Sequence, residues 1–289
     1  MPRSRRTSSD RARVVRVFTT NIWNFDGAYD ARQRLLRAGI EDLAPDLLAF
    51  QEAGCDGQRD QVRAMLDGLG YQVMHQFDDP AGGHGRDGCA VASRWPMERL
   101  ETVDLRVTPQ AQQYPYAALL VRVRAPDPLG PILFGCAKPS WELNREYERE
   151  LQAVELVKAV RRHARWADLP PILAGDFDAT PDSASIRFLT GRQSLGGLSV
   201  HFRDAWAEAG DGTPGYTWTY RNGSAREVIA RCFQDRRHQR RIDYVFLGSP
   251  HECTRRAAVR TARVALRSPH AGVWASDHYA VYAEIEALP

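Results

Sequence analysis

Residues 170–183 read PPILAGDFDATPDS, an apolar run that stops at Asp176 and gives way to small, acidic and turn-forming residues. An apolar run closed by Gly and followed by Pro and Asp reads as a buried strand with a carboxylate at its end. Beyond it, PDSASIRFL predicts a short helix with Pro181 at a permitted first-turn position. The same grammar recurs along the chain. Asn21 closes VVRVFTTN, Glu52 closes DLLAFQE, Asp243 opens RIDYVFL, and Asp277 with His278 opens SDHYAVYAEI. Five strand ends of this kind can converge on one rim. Carboxylates gathered there would repel by roughly 3–4 kcal/mol per adjacent pair, at about 4–5 Å and an effective dielectric of about 20. They call for a cation, and an all-oxygen donor set favours a hard one such as Mg²⁺ or Mn²⁺. That is the chemistry of metal-assisted phosphoryl transfer or hydrolysis.

Outward from these ends, Leu35, Leu36, Ile40 and Leu43 fall at helical spacing and predict a helix from Tyr29 to Leu43, ending before Pro45. A second helix is predicted near Gln58 to Leu69, with Gly70 as its stop. Short strands follow in YQVMHQF, GCAVASR, RLETVDLRV, YAALLVRV and PILFGCA. A long helix from about Asn144 to Arg165 carries Leu151, Val154, Leu156, Val157 and Val160 as its buried stripe. The last third returns to strands. Strands between helices, then strands in series, predict α+β layers around one core, with helices outside two packed sheets.

Composition excludes several classes. A hydrophobic fraction of 43% with 26% charged residues is that of an ordinary globular chain, and a net charge of +3 is too small to argue for a nucleic-acid partner. Cys55, Cys89, Cys136, Cys232 and Cys253 are odd in number and form no CxxC pair, which argues against a disulfide framework and a zinc site. The start, MPRSRRTSSDRARVV, lacks an apolar segment, and nowhere do 18 apolar residues run together, so neither secretion nor a membrane span is signalled. A cytoplasmic enzyme is expected, with residues 1–12 as a disordered basic tail and residues 13–289 as one domain.

The ordered set TTNIWNF, PDLLAFQE, GCAVASRWPM, AGDFDATPDS, RRIDYVFLG and SDHYAVYAEI resembles the endonuclease/exonuclease/phosphatase superfamily of metal-dependent phosphoesterases, over roughly Val14 to Glu286. Each motif alone is weak; six in order are specific. The resemblance implies a four-layer αββα sandwich of two packed, mainly antiparallel sheets with helices outside, and a site at one edge of the paired sheets. It implies Glu52 as a metal ligand, with Asn21 in the metal shell and Asp277 on the metal side. It further implies Asp176 as the base that orients the attacking water and takes its proton, His278 as the imidazole that meets the phosphate, and Asp243 as the partner that fixes and charges that ring.

Two positions depart from the family pattern. Asp178 stands where members generally carry Asn, and Lys138 stands where many carry a phosphate-contacting His. Together the changes are charge-neutral: either Lys138 and Asp178 pair across the site, or Lys138 extends to solvent and Asp178 caps a turn. Between Ser199 and Arg240, Trp206, Tyr216, Trp218, Tyr220, Arg221, Asn222, Phe233 and several Arg interleave aromatic and cationic groups, as suits a ring and its phosphate. Trp218, Arg221 and Asn222 are the substrate-binding candidates there, and ordinary loop packing is the alternative for the whole stretch. The reading is a phosphodiesterase or phosphatase, with a nuclease within its range, acting with Mg²⁺ or Mn²⁺ on a phosphorylated small molecule or nucleic acid. No membrane and no obligate protein partner are expected. The alternative is a diverged member in which Lys138 and Asp178 serve non-hydrolytic chemistry such as ring closure, or a non-catalytic binding protein.

Overall fold

The computed structural model describes residues 13–78, 86–165, 168–249, 251 and 253–289. The basic stretch expected to form a tail, residues 1–12, lies outside them. Two six-stranded sheets pack face to face. The first runs in the order β13 (Ala257–Ala265), β14 (Ala280–Ala287), β1 (Val14–Asn21), β2 (Leu47–Gly54), β4 (Asp87–Ser93), β3 (Gln72–His75). The second runs β5 (Met97–Asp104), β6 (Ala117–Arg124), β7 (Pro131–Lys138), β8 (Leu169–Asp176), β12 (Asp243–Gly248), β9 (Phe202–Asp204). A two-stranded ribbon, β10 (Trp218–Thr219) with β11 (Gln239–Arg240), stands beside them.

Strict alternation of side chains builds the layers. Val15 and Val17 of β1, Ala49 of β2, Phe134 and Cys136 of β7 and Ala174 of β8 meet between the sheets. Phe18, Leu48 and Phe50 point the other way, onto Leu36 and Ile40 of helix α1 (Tyr29–Leu43) and Val62 and Met65 of α2 (Gln61–Leu66). On the opposite flank, Leu120, Leu133, Leu173 and Phe246 meet Val154, Val157 and Val160 of α3 (Glu146–His163) and Phe188 of α4 (Ala184–Leu189). The result is the αββα order that the sequence predicted.

The expected helix bounds for α1 hold, ended by Ala44 in a left-handed conformation with its N–H on the Ile40 carbonyl. Helix α4 begins later than expected. Ser183 is its N-cap residue and Pro181 lies in the preceding turn rather than in the helix. Two short helices, α5 (Ala205–Ala209) and α6 (Arg226–Phe233), interrupt the last third, where only strands were expected. Their apolar faces span barely two turns, too short for periodicity to speak. Trp206 sits in the inter-sheet core with its Nε1–H on the Thr213 carbonyl, so it packs the fold and does not offer a ring to a ligand. Among the described residues no helix is long and apolar enough to cross a membrane, and the five cysteines are free thiols.

Each sheet is antiparallel except for one central parallel pair, β1 with β2 and β7 with β8. Four parallel strands therefore finish at one rim, and their antiparallel neighbours β12 and β14 start there. This places Asn21, Glu52, Lys138, Asp176, Asp243 and His278 around a common point.

Candidate active site

Asn21, the last residue of β1, is fully buried. Its Nδ2 donates to Glu52 Oε1 at 2.8 Å and to Asp176 Oδ2 at 3.0 Å, and so joins the two sheets. Its Oδ1 accepts from the Trp23 N–H at 3.0 Å. Glu52 does not close β2 as expected. The strand continues to Gly54, but its pairing with β4 slips between Phe50 and Ala53, and Glu52 takes a φ of 50°. A bulge of this kind re-aims one side chain without ending the ladder, and here it turns the Glu52 carboxylate into the cleft.

Lys138 ends β7 beside Asp176 at the end of β8. The backbones approach so closely that a Cβ on Gly175 would overlap the Ala137 carbonyl oxygen. The Lys138 ammonium lies 2.5 Å from Asp178 Oδ2, 2.6 Å from Asp176 Oδ2 and 3.4 Å from Glu52 Oε1. Of the two arrangements, the Lys138–Asp178 pair is the one present, and Asp176 shares it. Asp178 also has a positive φ, 49°, held by its N–H on Asp176 Oδ1 at 3.1 Å and by Arg240, which donates to its carbonyl at 2.6 Å.

Across the rim, His278 Nδ1 meets Asp243 Oδ2 at 2.9 Å while Nε2 lies 3.9 Å from Asp176 Oδ2. Burial alone would lower the His278 pKa, but Asp243, Asp176 and Asp277 outweigh it and hold the ring well above its ordinary value. Burial would raise Asp176, yet Lys138 and His278 hold it at about 2. Burial pushes Glu52 up to about 7 against the pull of Lys138 and Asn21. Asp178 is raised as well, by burial and by Asp176, despite Lys138.

Asn222, expected to touch substrate, is instead fully buried. Its Nδ2 donates to the Ser276 and Asp277 carbonyls, both at 2.9 Å, and its Oδ1 accepts from the Ser224 N–H. It thereby fixes the loop that presents Asp277 and His278. Arg221 lines a separate depression with Arg267, Trp274 and Tyr279, away from the carboxylates. Trp218 does face the site, its ring centroid 6.2 Å from that of His278.

Glu52, Asp178 and Asp277 floor a cleft of about 240 Å³. Its walls include Trp23, Trp141, Leu143, Trp218, Phe233, Arg231 and Arg240. Trp141 and Leu143 keep 47% and 46% of their surface exposed, which leaves a flat apolar lip. Sequence reasoning missed Leu143, Arg240 and above all Arg32. The Arg32 side chain is buried under the loop after β1 and donates to the carbonyls of Ile22, Trp23, Asn24 and Asp26. The signal that could have found it is its spacing, four residues before Leu36 and eight before Ile40, which sets it on the buried stripe of α1.

The donor chemistry fits a divalent cation. Glu52, Asp176, Asp178, Asp243 and Asp277 bring five carboxylates, against which Lys138 and His278 supply two cations. Glu52 and Asp277 face the cleft, and Glu52 stands beyond a good hydrogen-bond distance from the ammonium. Asp176, Asp243 and His278 also bring ligand atoms within 4.8 Å of one another. Those of Asp176 and His278 are engaged by Lys138 and Asp243, so the Glu52 and Asp277 side is the more open one.

Comparison with known proteins agrees with this geometry. The sequence matches the model of the Endonuclease/Exonuclease/phosphatase family over residues 18–278. A search of curated proteins gave no match. Among solved structures, D. rerio TDP2 complexed with a single-strand DNA product superposes with a TM-score of 0.71 at 18% identity, covering 94% of this chain and 99% of that one. The human Nocturnin catalytic domain with bound sulfate gives 0.67 at 20% identity, with 95% of each chain covered. ANGEL2, a 2',3'-cyclic phosphatase in complex with adenosine-2',3'-vanadate, gives 0.69 at 16% identity over 95% of this chain and 96% of that one. At these identities the likeness is one of fold.

Proposed function

Since this chain belongs to the endonuclease/exonuclease/phosphatase family, we propose that it is a divalent-metal-dependent phosphoester hydrolase acting on a phosphodiester or a small phosphorylated metabolite. The observation that carries the reading is the Asp243–His278 pair, 2.9 Å long, set against the Asn21-bridged carboxylates Glu52 and Asp176. Glu52 and Asp277, with Asn21 steadying Glu52, would hold Mg²⁺ or Mn²⁺. When bound, the ion supplies positive charge to a phosphoryl oxygen and to the leaving oxygen.

His278, charged through Asp243, stabilises the negative charge that grows on the phosphoryl group. Asp176 stays ionised and anchors Lys138 and Asn21, and this fixes the direction from which water approaches. Asp176 is fully buried with both oxygens engaged, by Lys138, Asn21 and the Asp178 N–H, whereas Asp178 lines the cleft and is the carboxylate open to the water's proton. Arg231 and Arg240 add positive charge to the wall. The Trp23, Trp141 and Trp218 rings suit a flat leaving group, which favours nucleotide-like or aryl esters. The DNA and adenosine ligands named for the TDP2 and ANGEL2 structures support that class.

The test is turnover of bis-p-nitrophenyl phosphate with Mg²⁺ and with EDTA. Chelator-sensitive hydrolysis is expected, and Glu52→Ala or His278→Ala should lower it by at least about a hundredfold. Unchanged turnover in Glu52→Ala refutes the assignment. A second reading, non-hydrolytic chemistry in a diverged member, draws on the engagement of Lys138 by two carboxylates at 2.5 and 2.6 Å. It gains if neither metal binding nor chelator-sensitive hydrolysis is found.

A further inference from the structure

Lys138 is 2% exposed, and its ammonium makes two close contacts, to Asp178 and Asp176, with the Glu52 carboxylate 3.4 Å away as a third anion. A lysine near a surface ordinarily extends its ammonium into water. This one points inward, and desolvating it is costly unless surrounding anions compensate. The backbone is arranged around it. Gly175 permits the approach of β7 to β8, and the positive φ of Asp178, secured by Asp176 and Arg240, folds a second carboxylate back over the ammonium. Three carboxylates from three different strands or turns directed at one point is the arrangement a hard divalent ion takes.

We infer that Lys138 is a resident cation occupying the position of a divalent ion between Asp176, Asp178 and Glu52, so that only the Glu52–Asp277 side is left to exchange metal. The single exchangeable ion rests on the hydrolase reading above; the part assigned to Lys138 does not. Removing the ammonium leaves three carboxylates facing one gap. Lys138→Ala and Lys138→Met should therefore gain a divalent site that the wild-type chain lacks.

The experiment is Mn²⁺ titration of the chelator-treated full chain, by calorimetry and electron paramagnetic resonance, with melting followed in parallel. The variants should bind one more Mn²⁺ per chain than wild type. In EDTA they should melt about 10 °C lower, and millimolar Mn²⁺ should recover most of that loss. Equal Mn²⁺ counts in wild type and variants, with a melting deficit that Mn²⁺ leaves unmoved, overturn the inference. Should neither variant fold, the ¹⁵N ammonium signal of Lys138 in wild type decides. A slowly exchanging signal that persists at saturating Mg²⁺ supports a resident cation, and its loss on Mg²⁺ addition overturns one. The two readings fail separately. If wild type binds no ion and the variants bind one, the metal-dependent reaction falls and the role of Lys138 stands. If wild type binds two ions and hydrolyses in a chelator-sensitive way, the reverse holds.

Discussion

A single amide group, Nδ2 of Asn21, donates to Glu52 on its own sheet at 2.8 Å and to Asp176 on the opposite sheet at 3.0 Å. It places two hydrogens between two carboxylates that would otherwise face each other. Asn21→Ala should destabilise the fold by about 2–4 kcal/mol, since hydrogen bonds to charged acceptors contribute about 1.5–3 kcal/mol each, and it should lower kcat/KM at least about a hundredfold. Asn21→Asp sets a third anion against the pair and should be worse than Ala in both measurements. Chemical denaturation and steady-state kinetics check the order, and an active, stable Asn21→Asp would contradict it.

The Asp243–His278 contact sets a pH dependence. His278 is held above its ordinary 6.5, with Asp243 the strongest of the groups that raise it. The stability its protonation contributes is lost as pH rises through the folded value, and because burial pushes Asp243 up to about 6 the charged pair also weakens as pH falls through that value. Asp243→Asn removes that partner and lets burial act with less opposition, so the His278 pKa should fall. The alkaline limb of kcat/KM should move to lower pH, as should the loss of stability. Histidine NMR titration together with the rate profile tests this; an unmoved alkaline limb counts against His278 as the charged group.

Trp141 is half-exposed on the lip of the cleft, so its removal should act on binding more than on folding. Trp141→Ala should raise KM for an aryl or nucleotide ester about five- to tenfold, in line with about 1–1.5 kcal/mol for one ring contact. The kcat and the melting temperature should change little. A ring-free ester such as dimethyl phosphate should show no KM change, and equal effects on both esters would remove the lip from substrate recognition.

Arg32 offers a stability prediction beneath the loop that carries Trp23 to the cleft wall. Its guanidinium satisfies the carbonyls of Ile22, Trp23, Asn24 and Asp26. Arg32→Met strips the Asn24 and Asp26 carbonyls of this donor and leaves those of Ile22 and Trp23 only 3.3 Å contacts from Gln61 and the Asp26 N–H, which should cost about 3 kcal/mol and lower Tm by about 6–12 °C. Lys at the same position cannot supply the planar fork and should recover little. Full recovery by Lys would show that charge alone suffices.

Much of this was legible in the sequence, for identifiable reasons. Strands buried on both faces leave long apolar runs, so Asn21, Asp176 and Asp243 could be set at strand ends, and each lies there. Glu52 was harder. Its bulge depends on pairing with β4, a tertiary relation that no local pattern carries. Lys138 and Asp178 were visible as departures from a motif, and their 2.5 Å contact follows because neighbouring parallel strands end at the same height. What stayed hidden were residues that act through backbone atoms. Arg32, Asn222 and Arg240 recognise carbonyl oxygens, and carbonyls leave no trace in residue identity.

The central claim is that water, directed by this carboxylate and imidazole set, breaks a phosphoester bond with a divalent cation in place. Turnover of bis-p-nitrophenyl phosphate in H₂¹⁸O, read by mass spectrometry with Mg²⁺ and again with EDTA, addresses it directly. One ¹⁸O per released p-nitrophenyl phosphate with Mg²⁺, and none formed with EDTA or by His278→Ala, is the predicted result. Product without ¹⁸O at phosphorus, or labelling that neither EDTA nor loss of His278 reduces, would contradict it.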